Sequence, residues 1–318
     1  MQIIKPSYEL MSEHGSFNQD DALKWIEIIG RTAYKSEDKI TDDSAVKFVK
    51  GIIKSGHESV LEHMTHRFVV NTDSEAGILG DFAEIQENTV GFHWSPCQNG
   101  FIVSLNVRTL RDAMRFVHND LTDTLFNAVL PRYNVLYEDL GHSLLPKPCY
   151  DVTLISEKQV WFELSIMEAI KHIYRTVKFI CDRGISHEIV RHRLCAFTQE
   201  STRYCNYSKK GTTFIMPPWG LTDSDKEFLK WIEIKYDRKT ELYRQKPQQS
   251  RYWLNNGLKT ELNMTANLKE WWHFFELRTP KTAHPQMREL TVPLLSDFKA
   301  TVGHSFAANI VPESLEVF

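Results

Sequence analysis

Apolar residues recur along this chain at two spacings, and the pattern predicts a mixture of helices and strands. Helical spacing marks residues 19–34, where Asp20 or Asp21 is available as the N-cap, and residues 43–56, which Gly56 ends. The same spacing predicts further helices, or helical regions, at 108–141, 182–193, 221–245, 269–277 and 284–300.

Runs of β-branched and aromatic residues predict strands between these helices, at 2–4, 64–70, 101–107, 175–181 and 258–268. Residues 71–100 mix Asn, Gly, Ser and Pro with few periodic apolar positions and predict no clear element. No internal repeat is visible in the sequence, and the elements follow no regular βαβ order. The pattern therefore predicts an α+β fold, with a mixed or antiparallel sheet flanked by helices.

Composition narrows the class of protein. The 318 residues are 42% hydrophobic and 25% charged, which is typical of a globular chain with one large domain or two small ones. The net charge of −3 predicts no bulk attraction to nucleic acid or anionic lipid, so an anionic ligand requires a local cluster of positive residues. The five cysteines are odd in number and lack Cys-x-x-Cys spacing, which argues against a disulfide framework and a structural zinc site.

The chain also lacks the features of an exported or membrane protein. Its first residues contain no apolar core of a secretory signal, and no segment approaches the roughly 20 apolar residues of a membrane span. We therefore expect a cytoplasmic protein without a membrane partner. His57 and His63 lie close together in the sequence, but no third ligand is evident, so we expect no metal site.

The densest chemical signal is the triplet Arg191-His192-Arg193, followed by a polar loop at 199–203 that contains Gln, Glu, Ser, Thr and Arg. Guanidinium groups are planar, bidentate donors that suit phosphate, and neighbouring hydroxyls add contacts to phosphate or sugar. The triplet alone is also compatible with a solvated basic helix end. The loop that follows favours the other interpretation, a site for a phosphorylated ligand.

The triplet, seven further residues and then Ser201 resemble the signature of the flavin-dependent thymidylate synthases. Two more segments are similar to blocks of that family, residues 56–63 (GHESVLEH) and residues 263–290 (NMTANLKEWWHFFELRTPKTAHPQMREL). Together with the N-terminal region, the resemblance covers roughly 1–66, 175–210 and 245–295. It implies the fold of that family in a single domain over 1–318.

The chain departs from the family pattern at several positions. Ala196 stands where members commonly have Ser, Glu188 where some have Gln, and Lys269 where some have Arg. Helical spacing predicts that Glu188 is paired with Arg191, three residues further on. The largest departure is the 127 residues between His63 and Arg191, where members have a few tens. We interpret this as an insertion at about 71–170, whose role the sequence does not indicate.

The resemblance implies a nucleotide site and a flavin site, residue by residue. The implied dUMP-binding residues are Glu188, Arg191, Gln199, Glu200, Ser201, Thr202, Arg203, Arg251 and Arg278. The implied FAD-binding residues are Ser59, Arg191, His192, Arg193, Gln199, Asn267, Lys269 and His273, with His57 as a secondary candidate. Arg278 is the implied catalytic residue, because a guanidinium beside the uracil would stabilise negative charge that develops on the ring.

The implied activity is reductive methylation of dUMP to dTMP by a methyltransferase that carries FAD. NADPH and 5,10-methylenetetrahydrofolate are the implied co-substrates, and a homotetramer is the implied assembly. Two alternatives stay open at this stage. One is a relative with the same cofactor and a different product, for example a hydroxymethylated pyrimidine. The other is a nucleic-acid-binding protein that uses the basic triplet, which the acidic net charge disfavours.

Overall fold

The computed structural model describes residues 1–11, 18–98, 100–117, 119–141, 150–209 and 211–303. The α-helices in these ranges are α1 (Gln19–Tyr34), α2 (Ser44–Lys54), α3 (Glu75–Asn88), α4 (Val107–Phe116), α5 (Asp120–Val129), α6 (Asn134–Tyr137), α7 (Glu157–Glu163), α8 (Ile166–Ala169), α9 (Arg183–Ile189), α10 (Asp223–Asp237), α11 (Pro247–Ser250), α12 (Leu268–Arg278) and α13 (Pro285–Val302). The strands are β1 (Gln2–Ile4), β2 (Ser7–Met11), β3 (Thr65–Asn71), β4 (Phe92–Cys97), β5 (Gly100–Asn106), β6 (Asp151–Leu154), β7 (Tyr174–Asp182), β8 (Ala196–Gln199), β9 (Thr213–Ile215) and β10 (Lys259–Asn267). In this part of the chain, no helix is both long and apolar enough to cross a bilayer.

The predicted α+β class is confirmed, but the strands form three sheets where the sequence pattern predicted one. We name the sheet of order β4-β5-β3-β6 the first sheet and the sheet of order β8-β10-β7-β2 the second sheet. Both are antiparallel throughout. A parallel pair, β1 with β9, forms the third. Each four-stranded sheet has its own buried apolar cluster.

Several predicted boundaries differ from the structure for local reasons. The N-cap of α1 is Asn18, whose side chain accepts a hydrogen bond from the backbone N–H of Asp21, so the prediction of Asp20 or Asp21 was wrong. Residues 71–100, which predicted no element, contain α3 and β4. The helix predicted at 182–193 ends at Ile189, because the chain then turns through the basic triplet into β8.

The two four-stranded sheets belong to units of the same topology. The first unit runs β3-α3-β4-β5-α4-α5, and the second runs β7-α9-β8-β10-α12-α13 with extra elements between β8 and β10. Their three shared strands occupy the same order, β4-β5-β3 and β8-β10-β7. The structure therefore contains an internal repeat that the amino-acid sequence does not reveal. Most of the first unit lies within residues 71–170, the region we interpreted as an insertion.

The outermost strand of each sheet comes from the segment that precedes the other unit. Strand β2 precedes the first unit in the chain but pairs with β7 of the second unit. Strand β6 precedes the second unit but pairs with β3 of the first unit. This reciprocal exchange covers one edge of each sheet, where unpaired backbone groups would otherwise invite other strands.

A buried histidine marks the same position in both units, two residues before the first strand. His63 forms hydrogen bonds with Thr265 (2.6 Å) and Thr198 (3.0 Å) of the second sheet. His172 forms hydrogen bonds with Ser104 (2.8 Å) and Ser95 (3.0 Å) of the first sheet. We call these two contacts the histidine bridges.

The strand register shows that the partners of the two histidines are equivalent. Ser104 pairs with His93 across β4 and β5, and Thr265 pairs with Ala196 across β8 and β10. The other hydroxyl that each histidine contacts lies two residues further along the neighbouring strand. It is Ser95 after His93 in β4, and Thr198 after Ala196 in β8. Each unit is thus joined to the other by the same polar contact, made in opposite directions.

A buried arginine joins the first unit to the segment that contains the sequence block 56–63. Arg111 of α4 is fully buried, and its guanidinium donates to Glu58, to Asp139 (2.7 and 2.8 Å) and to the carbonyl of Leu136. Burial alone would raise the pKa of Glu58, but hydrogen bonds from Arg115 and Arg111 hold it at about 2. The Glu58 carboxylate therefore stays charged and paired at neutral and mildly acidic pH.

Replacement of Arg111 with Met should destabilise the protein by about 3–5 kcal/mol, because it removes the buried cation from Asp139 and leaves Glu58 with Arg115 alone. The free energy of unfolding in urea measures this loss. Arg108→Met is the matched control, since Arg108 lies on the same helix, is 42% exposed and pairs with Glu62. It should cost below about 1 kcal/mol. Equal losses in both variants would contradict a special role for the buried group.

The histidine bridges predict a loss of stability in acid. Burial lowers the pKa of both His63 and His172 to about 3, against about 6.5 for an unfolded histidine. Because the folded state resists protonation, this stability is fully present above pH 6.5 and is lost as the pH falls towards 3. Replacement of His172 with Gln should reduce the slope of unfolding free energy against pH between 4 and 6.5 by up to about 1.4 kcal/mol per pH unit.

Chemical denaturation at a series of pH values measures that slope. The control is the same substitution at exposed His187, which removes an imidazole without opening a buried contact. A slope in the His172→Gln variant as steep as that of the unmodified protein would show that the bridge does not remain neutral in the folded state.

Candidate functional site

The basic triplet lies at the junction between α9 and β8 in the second unit. Asp182 begins α9 as its N-cap, because its side chain accepts a hydrogen bond from the backbone N–H of Ile185 (3.0 Å). After α9 ends, the chain exposes Arg191 and Arg193 and buries His192 between them. The His192 ring packs edge-on against Phe274 of α12, with 4.9 Å between the ring centroids. The triplet thus presents two guanidinium groups on either side of an anchored imidazole.

Arg278 ends α12 and connects that helix to the triplet. Its Nη1 donates to Glu188 Oε2 (3.0 Å), its Nη2 donates to the Glu188 carbonyl (3.1 Å), and its Nε donates to His192 Nε2 (3.1 Å). We call these three side chains the Arg278 cluster. The Arg278 side chain is partly buried and keeps 19% exposure.

The His192 imidazole is neutral in this cluster. Burial is the main cause that lowers its pKa, to about 4, and the charges of Arg278 and His273 act in the same direction. Because Nε2 accepts the hydrogen bond from Arg278, the ring carries its proton on Nδ1. His192 therefore positions Arg278 without adding a second positive charge beside it.

Glu188 has a different partner from the one its spacing suggested. Three residues on a helix separate it from Arg191, which predicted a contact within α9. The structure instead pairs the Glu188 carboxylate with Arg278, because α9 ends at Ile189 and Arg191 lies beyond it. A carboxylate beside an anionic ligand is unfavourable alone, and Arg278 compensates its charge here.

The loop at 199–203 is held by contacts with β10 and α1. Gln199 Nε2 donates to Ser186 Oγ (2.8 Å) and to Thr260 Oγ1 (3.1 Å). The backbone N–H of Ser201 donates to the carbonyl of Ala33 at the end of α1 (3.0 Å). These bonds fix the direction of the loop and leave the Arg203 side chain exposed.

Glu200 is engaged inside the fold rather than on the surface of the loop. It is 3% exposed, and its two carboxylate oxygens accept hydrogen bonds from Tyr207 and from Lys259 (2.9 Å each). The sequence offered no signal for Tyr207 or Lys259 as its partners, since both lie outside the motif. Glu200 therefore anchors the loop to Tyr207 and to Lys259 of β10.

Four guanidinium groups border this site without a carboxylate partner in the ranges that the structure describes. They belong to Arg191, Arg193, Arg203 and Arg251. Arg251 donates to Thr202 Oγ1 (3.4 Å), and Arg203 lies over the ring of Tyr204. In a chain with a net charge of −3, unpaired guanidinium groups on one motif and its loop are the local positive cluster that an anionic ligand requires.

The three predicted flavin residues of the C-terminal block surround the start of α12. Asn267 caps the helix by accepting a hydrogen bond from the N–H of Glu270 (2.9 Å), and its Nδ2 lies 3.4 Å from Nε2 of His93. Lys269 is exposed, and the ring of His273 lies 5.8 Å from that of His192. His93 belongs to the first unit, and no feature of the sequence singled it out.

The two N-terminal candidates, His57 and Ser59, lie beside the site without a hydrogen bond to the triplet or to the loop in the described residues. His57 Nδ1 bonds with the hydroxyl of Tyr34 (2.9 Å), and the Tyr34 ring lies 5.3 Å from that of Tyr204, next to the loop. Ser59 is exposed, and within the described residues no hydrogen bond joins it to the triplet or to the loop. Glu58, which was not a candidate, instead holds Arg111.

Two cavities lie near the candidate site, and Arg193 of the triplet lines one of them. The first, which we call the inter-unit cavity, has a volume of about 340 Å³, and both Arg193 of the triplet and His93 of the first unit line it. The second has a volume of about 360 Å³, and Glu188, Trp219 and His284 are among its lining residues. Both volumes lie at the lower end of the range for small-molecule sites.

Comparison with known proteins connects this site to one family. A family model described as Thy1, thymidylate synthase complementing protein, matches residues 158–302. The flavin-dependent thymidylate synthase of Pyrococcus furiosus is 30% identical over 126 residues, which are 37% of this chain and 50% of the relative. That of Thermococcus kodakarensis is 32% identical over 124 residues, with the same two coverages. The chain therefore spans about half the length of the curated relatives it matches.

Solved structures with a similar course of the chain include a UMP/dUMP methylase, PolB from Streptomyces cacaoi, bound with 5-Br dUMP. It is 12% identical with a TM-score of 0.41, and the match covers 98% of this chain and 100% of that one. Flavin dependent thymidylate synthase ThyX from Helicobacter pylori, complexed with FAD and dUMP, is 14% identical with a TM-score of 0.35, over 70% and 100% of the two chains. Both TM-scores are low.

The family model covers the triplet, the loop and the C-terminal block, but not the block at 56–63. The resemblance to the flavin-dependent thymidylate synthases that the motifs predicted is therefore confirmed for residues 158–302, the segment that contains the Arg278 cluster.

Proposed function

We propose that this chain is a flavin-dependent thymidylate synthase, which methylates dUMP reductively to dTMP. The observation that carries the proposal is the Arg278 cluster, in which a neutral imidazole and a carboxylate hold one guanidinium beside four others that lack carboxylate partners in the described residues. The family match over residues 158–302 supports it. So do the names of the curated relatives, which are flavin-dependent thymidylate synthases.

The nucleotide side of the proposed site uses the loop and the cluster. Arg203 and Ser201 take the phosphate of dUMP, and Arg251, which reaches Thr202 of the same loop, adds a second guanidinium. Arg191 and Gln199 complete this wall, and Arg278 faces the uracil with Glu188 behind it. Because Glu200 is buried and already bonded to Tyr207 and Lys259, we assign it to loop support and not to ligand contact.

The residues present fit a flavin dinucleotide on the other side of the triplet. Arg191 and Arg193 are exposed and lack a carboxylate partner in the described chain, which suits a pyrophosphate. Asn267, Lys269 and His273 form the C-terminal part of this wall, next to His192. Ser59 remains a candidate contact of the flavin, because its side chain is exposed. When bound and reduced by NADPH, FAD supplies the hydride that completes the methyl group.

The role of the protein in the reaction is to bind, orient and polarise. C5 of the uracil attacks the electrophilic methylene carbon of 5,10-methylenetetrahydrofolate, the bond of that carbon to a folate nitrogen breaks, and the C5 hydrogen leaves as a proton. Negative charge develops on the ring when C5 is activated for this attack. Arg278 stabilises this charge by donating hydrogen bonds, in a position that Glu188 and His192 determine before substrate binds. A neutral His192 leaves the Arg278 donors directed outward, whereas a protonated one would repel them.

The assembly and compartment complete the proposal. We retain the homotetramer and the cytoplasm that the resemblance and the sequence imply, and light scattering of the purified protein measures the first. We also propose that residues 1–318 form a single domain. Residues 71–170 contribute most of its first unit.

Replacement of Arg278 with Ala should reduce kcat by about 10²–10³, because it removes a group that acts on charge in the transition state. Tritium release from C5-labelled dUMP, in an anaerobic assay with FAD, NADPH and 5,10-methylenetetrahydrofolate, measures the rate, and mass spectrometry identifies the product. Arg238→Ala, a change of an exposed arginine on the segment after α10, is the control and should keep full activity. Flavin binding without formation of dTMP by the unmodified protein would favour a relative with another product.

Replacement of Arg203 with Ala should act on substrate binding more than on the chemical step. The loss of one bidentate contact with phosphate corresponds to about 1.5–3 kcal/mol, or a rise in KM for dUMP of about 10- to 100-fold. Arg203→Lys should lose less, because it keeps the charge without the planar geometry. The comparison of deoxyuridine with dUMP provides the control, since the Arg203→Ala variant should no longer distinguish the two as strongly. An unchanged KM for dUMP would remove Arg203 from the phosphate site.

A further inference from the structure

The inter-unit cavity has walls from both units, and the proposed function uses only one of them. The second unit contributes Arg193, Ala196 and Thr265, and the first unit contributes Val90, Asn106 and Arg108. At its edge the two units touch directly, where Asn267 Nδ2 lies 3.4 Å from His93 Nε2. The cavity therefore exists only because the two units are packed together in one chain.

The strand register identifies the first-unit wall as the counterpart of the predicted flavin residues. Since Ser104 and Thr265 are equivalent through the histidine bridges, Asn106 stands where the second unit has Asn267, and Arg108 stands where it has Lys269. Both asparagines begin a helix as its N-cap. The first unit thus presents the same two residue types, an amide and a cation, at the equivalent place.

The first unit has no counterpart of the basic triplet. Counted back from the equivalent strand positions, Asn88, Thr89 and Val90 stand where the second unit has the triplet. Counted on in the same way, Val117 stands where the second unit has Arg278, so the first unit has no guanidinium at that place. The first-unit wall therefore offers binding groups without a reactive centre of its own.

The charges in the cavity are arranged for a ligand with one anionic end. Arg193 has no carboxylate partner among the described residues, whereas Arg108 is compensated by Glu62 (2.5 Å) and Asp112 (3.4 Å). Burial, with the nearby charges of Lys269 and Lys171, lowers the pKa of His93 to about 4, so its imidazole is neutral. Glu62 and Asp112 line the cavity as well, but both are paired with Arg108. The other first-unit groups are amides, hydroxyls and an imidazole, so the charge without a partner in the described residues lies at the triplet.

The position of the cavity separates it from the reactive end of the site. Arg193 lines the inter-unit cavity, whereas Glu188 of the Arg278 cluster lines the second cavity. His192, between them in the chain, bonds to Arg278. Because His192 and Arg193 are adjacent in the chain, a ligand that contacts both has one part beside the Arg278 cluster and another at the inter-unit cavity.

We propose that the inter-unit cavity binds the adenylate end of the flavin dinucleotide, with Arg193 on the phosphates and the first-unit wall around the adenosine. The proposal rests on the proposed function, because it takes FAD as the cofactor. It assigns the first unit a binding role that the sequence motifs do not indicate. It also assigns Val90, Asn106 and Arg108 to the cofactor site, although all three lie in the region interpreted as an insertion.

The comparison of FAD with FMN tests this assignment, because FMN has the same reactive ring and no adenylate. Val90 lines the cavity and is 70% exposed, so replacement with Trp should fill the cavity without disturbing a core. Val90→Trp should weaken FAD binding at least about tenfold, which is about 1.4 kcal/mol, and leave FMN binding unchanged. Quenching of flavin fluorescence measures both dissociation constants.

A second variant and a control protect this test against misfolding. Val90→Glu places a negative charge in the same cavity, so it should also weaken FAD selectively, and more strongly at low salt than at high salt. Val46→Trp is the control, because Val46 is an exposed residue of α2 outside the cavity and should bind both flavins normally. Thermal unfolding of all variants checks that each is folded.

The possible outcomes separate the inference from the proposed function. Selective loss of FAD affinity in both Val90 variants would support the assignment. Equal weakening of FAD and FMN, or no weakening of either, would overturn it while FAD binding by the unmodified protein leaves the proposed function intact. If the unmodified protein binds neither flavin, the proposed function fails and the adenylate assignment fails with it.

Discussion

His63 and His172 each lie at the start of one unit and bond to two hydroxyl groups in the sheet of the other. Replacement of one partner by an apolar residue would leave a buried polar group without its hydrogen bond. Each histidine therefore requires both hydroxyls, on two neighbouring strands at a fixed register. They determine where β8 and β10 lie relative to the first unit, and so where the triplet and Asn267 can be. The neutral state of both imidazoles is what keeps this contact favourable in a buried environment.

The same geometry explains why the candidate site is built from distant parts of the chain. The triplet follows a short helix, and the chain must then return as β8 to satisfy the bond from Thr198 to His63. Strand β10 lies beside β8 and delivers α12, which ends at Arg278 on the other side of His192. Glu188 and His192 then hold the guanidinium. A buried sheet contact and a reactive arginine are therefore connected through two strands and a helix.

The sequence predicted much of this architecture because its signals are local. Strand β10 and helix α12 follow from the run of β-branched residues and from helical periodicity, and the basic triplet is visible as a dense run of charge. The pairing of Glu188 was predicted wrongly, since helical spacing gives neighbours within a helix and cannot show that α9 stops at Ile189. The internal repeat was missed for a related reason. It is conserved in strand order and in two serine or threonine contacts with a histidine, whereas the side chains that form the two cores differ.

The two units differ in the functional groups that they place at equivalent positions. Two units that exchange edge strands and histidine bridges have equivalent positions, so a cation and an amide occur in both, at Arg108 and Asn106 and at Lys269 and Asn267. Only the second unit combines these with a triplet, a loop of unpaired guanidinium groups in the described chain, and Arg278. The first unit has Val117 at the place of Arg278 and no basic triplet, so its polar wall lacks the reactive groups of the second unit. Under the proposed cofactor site, the first unit contributes to the reaction through the cavity that it shares with the second unit.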